Sequence, residues 1–299
     1  MTYTESAVTF DCVGERLIGV IAAPSVGLAA ARTGVVIVVG GPQYRVGSHR
    51  QFVQLARALA SQGHAVLRFD YRGMGDAEGA QRTFEAVSSD VAAAIDALQS
   101  HAPSIHHLVL CGLCDGASAA LLYLYETSDQ RVTGLCLLNP WVRSTESLAR
   151  THLKHYYLNR LTDRAFWRKL FSGSMGLDAL TNFAGSVRRS MANHHGDISS
   201  PSPNFQQAMA LAWRRFNGQI LLVLSGKDLT AREFEDYSKA SNAWFGANIH
   251  AGFHRVDLPE ADHTLSQKNA QCLFEEAFTA WLANLRCTDV AVQYAASGA

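Results

Sequence analysis

Apolar residues along this chain follow two alternating rhythms. Residues 8–12 and 17–22 place apolar side chains at roughly every second position on either side of Val13-Gly14-Glu15-Arg16, which predicts a β-hairpin. Val35-Val36-Ile37-Val38-Val39 is an unbroken β-branched run, as expected of a strand covered on both faces by helices. Phe52, Leu55, Ala56 and Leu59 then recur at helical spacing until Gly63, and Ser48-His49-Arg50-Gln51 ahead of them fits an S-x-x-Q capping box. The alternation continues with a strand at 65–69, a helix at 84–98, a strand at 107–111, a helix at 117–125 and a strand at 132–138. After a long interval it resumes with a strand at 220–224, a helix at 232–245, a strand at 254–258 and an amphipathic helix at 267–285. Such regular alternation predicts an α/β fold: a mostly parallel central sheet with helices on both faces.

The interval carries its own information. Residues 141–217 are rich in aromatics and arginines, with helical patches at 148–161 and 205–216 and a loop near 194–203. We therefore expect a core in two parts, 1–140 and 219–287, split by an inserted helical cap at 141–218 that lies over the C-terminal edge of the sheet, with a flexible tail at 288–299. A chain of 299 residues that is 48% hydrophobic can bury a core of that size.

Composition narrows the functional classes. Twenty-six Lys and Arg balance 26 Asp and Glu, so net charge argues for neither nucleic acid nor an acidic membrane surface as partner. Residues 1–10 lack the basic and apolar regions of a signal peptide, and no run approaches the ~18 apolar residues of a membrane span, so a cytoplasmic protein without membrane insertion is expected. The six cysteines are scattered, and reduced thiols follow as the expectation.

One of those thiols stands where chemistry is expected. Leu108-Val109-Leu110-Cys111 runs into Gly112-Leu113-Cys114-Asp115-Gly116 and then into the small residues Ala117 to Ala120: strand, G-x-nucleophile-x-G, helix. The glycines are needed where any Cβ would strike the neighbouring strand and helix, and the turn lifts the thiol to the sheet edge. A cysteine at a helix N-terminus near a histidine is in the setting that favours a nucleophilic thiolate. The alternative is that Cys111 and Cys114 form a redox or metal C-x-x-C, but no second ligand pair stands at metal spacing.

An acid and a base should follow in chain order. Asp228, in Ser225-Gly226-Lys227-Asp228 after a buried strand, is the candidate acid, although a turn or cap aspartate would read the same way. His263, in Ala261-Asp262-His263-Thr264, is the histidine that follows the last strand; Asp262 is the second choice of acid, because adjacent side chains usually diverge. For the oxyanion hole, Gly40-Gly41-Pro42-Gln43-Tyr44 follows the first parallel strand. Pro42 has no N–H, so Gln43 and Asp115 are the expected backbone donors.

The order of these pieces, with Asp70-Tyr71-Arg72-Gly73-Met74-Gly75-Asp76 after the second parallel strand, resembles the α/β-hydrolase superfamily over nearly the whole chain. The stretch from Gly40 to Arg50, taken with Gly112-Leu113-Cys114-Asp115-Gly116, is similar to the exosortase A system-associated hydrolase 1 family. That resemblance implies an esterase-like enzyme in the context of bacterial exopolysaccharide and protein-sorting systems. A cysteine elbow is also found in dienelactone hydrolases and polyhydroxyalkanoate synthases.

The expected activity is hydrolysis of a small-molecule ester or thioester through Cys114, His263 and Asp228, with no metal or organic cofactor. An acyltransferase using the same Cys114 thioester and a catalytically silent scaffold are the alternatives. Arg143, Arg150, Lys154 and Arg160 in the insertion would suit an anionic substrate, or else form a solvated helix face.

Overall fold

The computed structural model describes residues 2–25, 33–41, 43–143 and 203–296, the last eleven as backbone only. Among them, eight strands form one sheet. They are β1 (Tyr3–Cys12), β2 (Glu15–Pro24), β3 (Thr33–Val38), β4 (Ala65–Asp70), β5 (His107–Leu113), β6 (Val132–Leu138), β7 (Gln219–Ser225) and β8 (Phe253–Leu258). Their spatial order is β1-β2-β4-β3-β5-β6-β7-β8. β1 and β2 pair antiparallel as the expected hairpin and β2 joins β4 antiparallel, while β4, β3, β5, β6, β7 and β8 run parallel.

Six α-helices are described: α1 (Gln51–Ser61), α2 (Ser88–His101), α3 (Asp115–Thr127), α4 (Phe205–Arg215), α5 (Leu229–Ala240) and α6 (Lys268–Ala296). The sheet has apolar layers on both faces. Val36, Val38, Leu108, Leu110, Leu135 and Leu137 share one cluster with α2, α3 and α4, and the alternate residues Val35, Ile37, Val109, Cys111, Cys136 and Leu138 share the other with α1 and α6. Two-sided burial is why the strands read as unbroken apolar runs, each fully buried Val or Leu contributing ~1.5–3 kcal/mol.

Several boundaries differ from the sequence expectation. No capping box forms at Ser48: residues Ser48–Arg50 make a 3-10 turn in which His49 and Arg50 both have positive φ, and α1 begins at Gln51 without a side-chain cap. The Gln51 side chain is buried rather than reaching back to the turn. The helix expected over 84–98 is a 3-10 turn at Phe84–Ala86 followed by α2, and the one expected from 232 starts earlier, at Leu229. Where a frayed tail was expected from 288, α6 runs on to Ala296.

The chain divides into two compact units, Met1–Val142 with Asn204–Ala299, and Arg143–Pro203. Helix α4, which the sequence assigns to the insertion, belongs to the first. It packs on α3, buries Ala208, Met209, Ala212 and Trp213, and sets the Trp213 ring against Trp244 and Phe253. The second unit lies outside the described residues except at its two ends, and so do the expected helix at 148–161, the expected loop at 194–203 and the three cations Arg150, Lys154 and Arg160. No helix among the described residues is long and apolar enough to cross a membrane.

Candidate active site

The parallel register brings four chain segments to one edge. Val38 of β3 pairs with Gly112, Leu113 of β5 with Leu138, Leu138 of β6 with Val223, and Ser225 of β7 with Leu258, so the turns that follow β3, β5, β7 and β8 leave the sheet side by side. Gly40, Cys114, Asp228 and His263 lie on those turns.

Cys114 sits at φ 61°, ψ −126°, a backbone region that side-chain-bearing residues avoid. The turn is held in that state from all sides. Cys114 N–H donates to the Leu138 carbonyl at 2.9 Å, and its own carbonyl accepts from Ala117 and Trp141 N–H at 3.1 and 3.2 Å. The flanking glycines are required by space: a Cβ on Gly112 would lie 2.4 Å from the Gly116 carbonyl oxygen, and one on Gly116 would lie 2.3 Å from that of Val38. Cys114 is half-buried, whereas Cys12, Cys111 and Cys136 are buried and Cys272 is exposed, all five as free thiols. Cys111 is not disulfide-bonded to Cys114. It lies directly opposite Cys136 on β6, whose thiol is pushed well up by burial and by the Cys111 sulfur. Among the described residues no cluster of three His, Cys, Asp or Glu is arranged to hold a metal ion.

His263 lies between an acid and the thiol. Its ring nitrogen Nδ1 is 2.8 Å from Asp228 Oδ2, and its second side-chain partner is Cys114. The hydrogen bond to Asp228, then that to Cys114, raises the imidazole from 6.5 to about 10 against the opposing effect of burial. Asp228 is only 5% exposed. It caps α5 by accepting from Thr230 and Ala231 N–H at 3.1 and 3.2 Å, so the plain capping role and the contact with His263 coexist in one carboxylate. Asp262 is turned elsewhere. It accepts from Thr264 and Ser266 N–H and from the Ser266 hydroxyl; burial pushes its carboxyl up, and the Ser266 hydrogen bonds outweigh that and bring it below the usual range.

The segment after β3 is less simple. Gln43, one expected donor, uses its side-chain oxygen to accept from Ser48 N–H at 3.2 Å, and Pro42 lies outside the described residues. Asp115, the other, brings its carboxylate into the same place: Oδ1 accepts the Gly41 N–H, and the Asp115 and Gly116 N–H groups also point to it. Burial raises this carboxyl, and those three donors with His263 nearby pull the other way. A second carboxylate braces the segment from below. Asp70, fully buried at the end of β4, accepts from both the backbone N–H and the guanidinium of Arg45, which also reaches Asp76 at 2.7 Å.

Two of these side-chain contacts were missed in the sequence. Asn139, at φ 47° just past β6, accepts the Ser225 N–H at 2.9 Å and donates to the Ser225 hydroxyl at 3.0 Å, clasping the ends of β6 and β7 just ahead of Asp228. The Asn139-Pro140 pair ending an apolar run is the local signal for such a turn. The Asp115 side chain had no signal, because the motif speaks for that residue's backbone. A cavity of about 300 Å³ lined by Thr33, Asp129, Arg215 and Gln219 opens at the other, N-terminal end of the strands, away from Cys114.

A family model described as "Serine aminopeptidase, S33" matches residues 30–218. Among curated proteins nothing matches the chain. Solved structures with similar folds include the Pyrococcus furiosus esterase Pf2001, at 14% identity and TM-score 0.61, covering 94% of this chain and 93% of that one. Est1E from Butyrivibrio proteoclasticus, in a structure with ferulic acid bound, is 15% identical at TM-score 0.60 over 94% of this chain and 99% of its own. XC6422 from Xanthomonas campestris, described as an α/β serine hydrolase without a lid, is 16% identical at TM-score 0.54 over 94% of each chain.

Proposed function

The chain belongs to the serine aminopeptidase S33 family of α/β-hydrolases, and from that premise we propose that it cleaves an ester or thioester through a cysteine triad, Cys114 taking the place of the serine for which the family is named. The observation that supports this best is the strained turn at Cys114 with His263 bonded to both Asp228 and the thiol. The bond to Asp228 makes His263 a stronger base than a free imidazole. His263 takes the Cys114 proton, and the sulfur attacks as a thiolate.

In that mechanism the thiolate adds to the carbonyl carbon and the carbonyl oxygen becomes an oxyanion. Collapse of the adduct breaks the bond to the leaving group, which departs with the His263 proton and leaves an acyl-cysteine. Neutral His263 next takes a proton from water, and the resulting hydroxide adds to the thioester carbonyl. A second collapse frees the acid, and the imidazolium returns its proton to the departing sulfur. Asp228 keeps the ring oriented and stabilises its charge throughout. Backbone donors from the Gly41–Gln43 segment and from Asp115 would hold the oxyanion.

Residues 143–203, inserted between β6 and α4, are proposed as the cap that selects the substrate. A cytoplasmic, exosortase-associated role is proposed on the similarity of the Gly40–Arg50 and Gly112–Gly116 stretches alone. Intact-protein mass spectrometry after incubation with activated acyl esters and thioesters tests the core of the reading. An acyl adduct should appear on Cys114 and be absent from Cys114→Ala, with turnover lost by on the order of 10⁴–10⁶-fold. Full turnover by Cys114→Ala on an ester that the parent cleaves would exclude the covalent mechanism.

A further inference from the structure

The residue that follows the nucleophile is expected to offer its backbone N–H to the substrate oxygen, and the turn after β3 to offer a second donor. In this chain a side chain has reached that spot first. The Asp115 carboxylate accepts the Gly41 N–H across 74 residues of sequence. The room for it comes from Gly40: a Cβ there would lie 2.3 Å from Asp115 Oδ1 and 2.2 Å from the Leu113 carbonyl oxygen. Gly41 itself is at φ 65°, a left-handed conformation suited to glycine that turns its N–H toward the elbow. The carboxyl group is thus half-buried among N–H donors at the start of α3, near His263 and the buried Tyr71.

We infer that Asp115 is a built-in plug beside the oxyanion hole: its carboxylate holds the Gly41 N–H of the turn after β3, where a substrate oxyanion needs a donor, and acylation of Cys114 requires that it be displaced. The inference rests on the acyl-enzyme reading above. A negative oxygen held at this point both satisfies the Gly41 N–H and repels the charge that develops on the substrate carbonyl, so it opposes the transition state for acyl transfer. It has no such effect on a reaction at the sulfur that generates no oxyanion. Direct displacement at iodoacetamide is one: the thiolate forms a C–S bond, iodide leaves, and no charge develops on a carbonyl oxygen.

That difference supplies the test. The rates of Cys114 acylation by a p-nitrophenyl ester and of Cys114 alkylation by iodoacetamide are measured in parallel on the full chain, by mass spectrometry, for the parent, Asp115→Asn and Asp115→Ala. The asparagine variant keeps the size of the side chain and guards against a folding defect in the alanine variant; thermal melts report on both. Acylation should rise by about 10- to 100-fold in both variants, less than the ~10²–10³-fold that a full oxyanion donor is worth, while alkylation stays unchanged. Acylation that is unchanged or slower at constant alkylation overturns the plug, as do acylation and alkylation that change together, since Asp115 would then be acting on the thiol or the fold. If iodoacetamide modifies Cys114 but no protein is acylated there, the acyl-enzyme reading has failed, and the plug with it.

Discussion

His263 is gripped from two sides, and the two grips have separable consequences. Asp228 supplies the larger part of the upward shift and Cys114 the next. Because the folded value of about 10 exceeds the ordinary 6.5, this contact stabilises the fold fully below about pH 6.5, and the stabilisation is lost as pH rises through about 10. Urea midpoints taken across that window should therefore fall as the ring deprotonates. Asp228→Asn and Asp228→Ala should divide the two duties of the residue. Asparagine is as good an N-cap as aspartate but carries no charge, so Asp228→Asn should flatten the pH dependence, bring the imidazole back toward its ordinary range in an NMR titration and leave α5 intact. Asp228→Ala should do the same and cost about 1 kcal/mol more through the lost cap. Should Asp228→Asn leave the imidazole near 10, Asp228 is not the group that holds the ring.

At the scale of elements, the sequence was readable where the constraint is local and unreadable where it is tertiary. The elbow could be read because it needs only two glycines, a small-residue helix and a preceding strand, and the backbone oxygens closing on Gly112 and Gly116 show why nothing larger fits. The placement of Asp228 and His263 on neighbouring turns was readable through the parallel register, which sends every strand-end turn to one edge. The start of α1 was not, because the segment before it is pinned from a distance by the bond of Arg45 to Asp70, which together with the local bond of Ser48 to Gln43 accompanies left-handed angles at His49 and Arg50. Helix α4 was assigned to the wrong unit because an amphipathic pattern gives the apolar face without naming what covers it. The structure covers it with α3, Trp244 and Phe253, and the Trp213 indole donates to the Ala247 carbonyl at 3.1 Å. Trp213→Ala should therefore lower stability by ~3–5 kcal/mol, read as a lower denaturant midpoint at unchanged slope. A loss below about 1 kcal/mol would mean that α4 is not part of the core layer.

Over the whole molecule, the two ends of the interruption meet. The Gln206 side chain, near the start of α4, donates to the Val142 carbonyl at 2.7 Å and is itself buried, so the chain leaves and re-enters the first unit at nearly the same point. Among the described residues, the contacts that build the thiol, imidazole and carboxylate arrangement lie within that unit: the Leu138 and Val38 contacts of the elbow, the Asn139 clasp and the turns after β7 and β8. A loop whose ends already touch is removed at little entropic expense, since closure cost grows only as the logarithm of length. Replacing 143–203 by a short glycine-serine linker should then leave a folded protein in which iodoacetamide still modifies Cys114, with far-ultraviolet dichroism reporting the intact sheet and helices. If the excised segment selects the substrate, the shortened chain should accept a wider range of acyl and leaving groups, seen as kcat/KM values that converge across an ester panel. A shortened chain that folds and keeps the parent's ranking of esters would move substrate choice back onto the strand-end turns, whereas one that no longer folds would show that the insertion is part of the core.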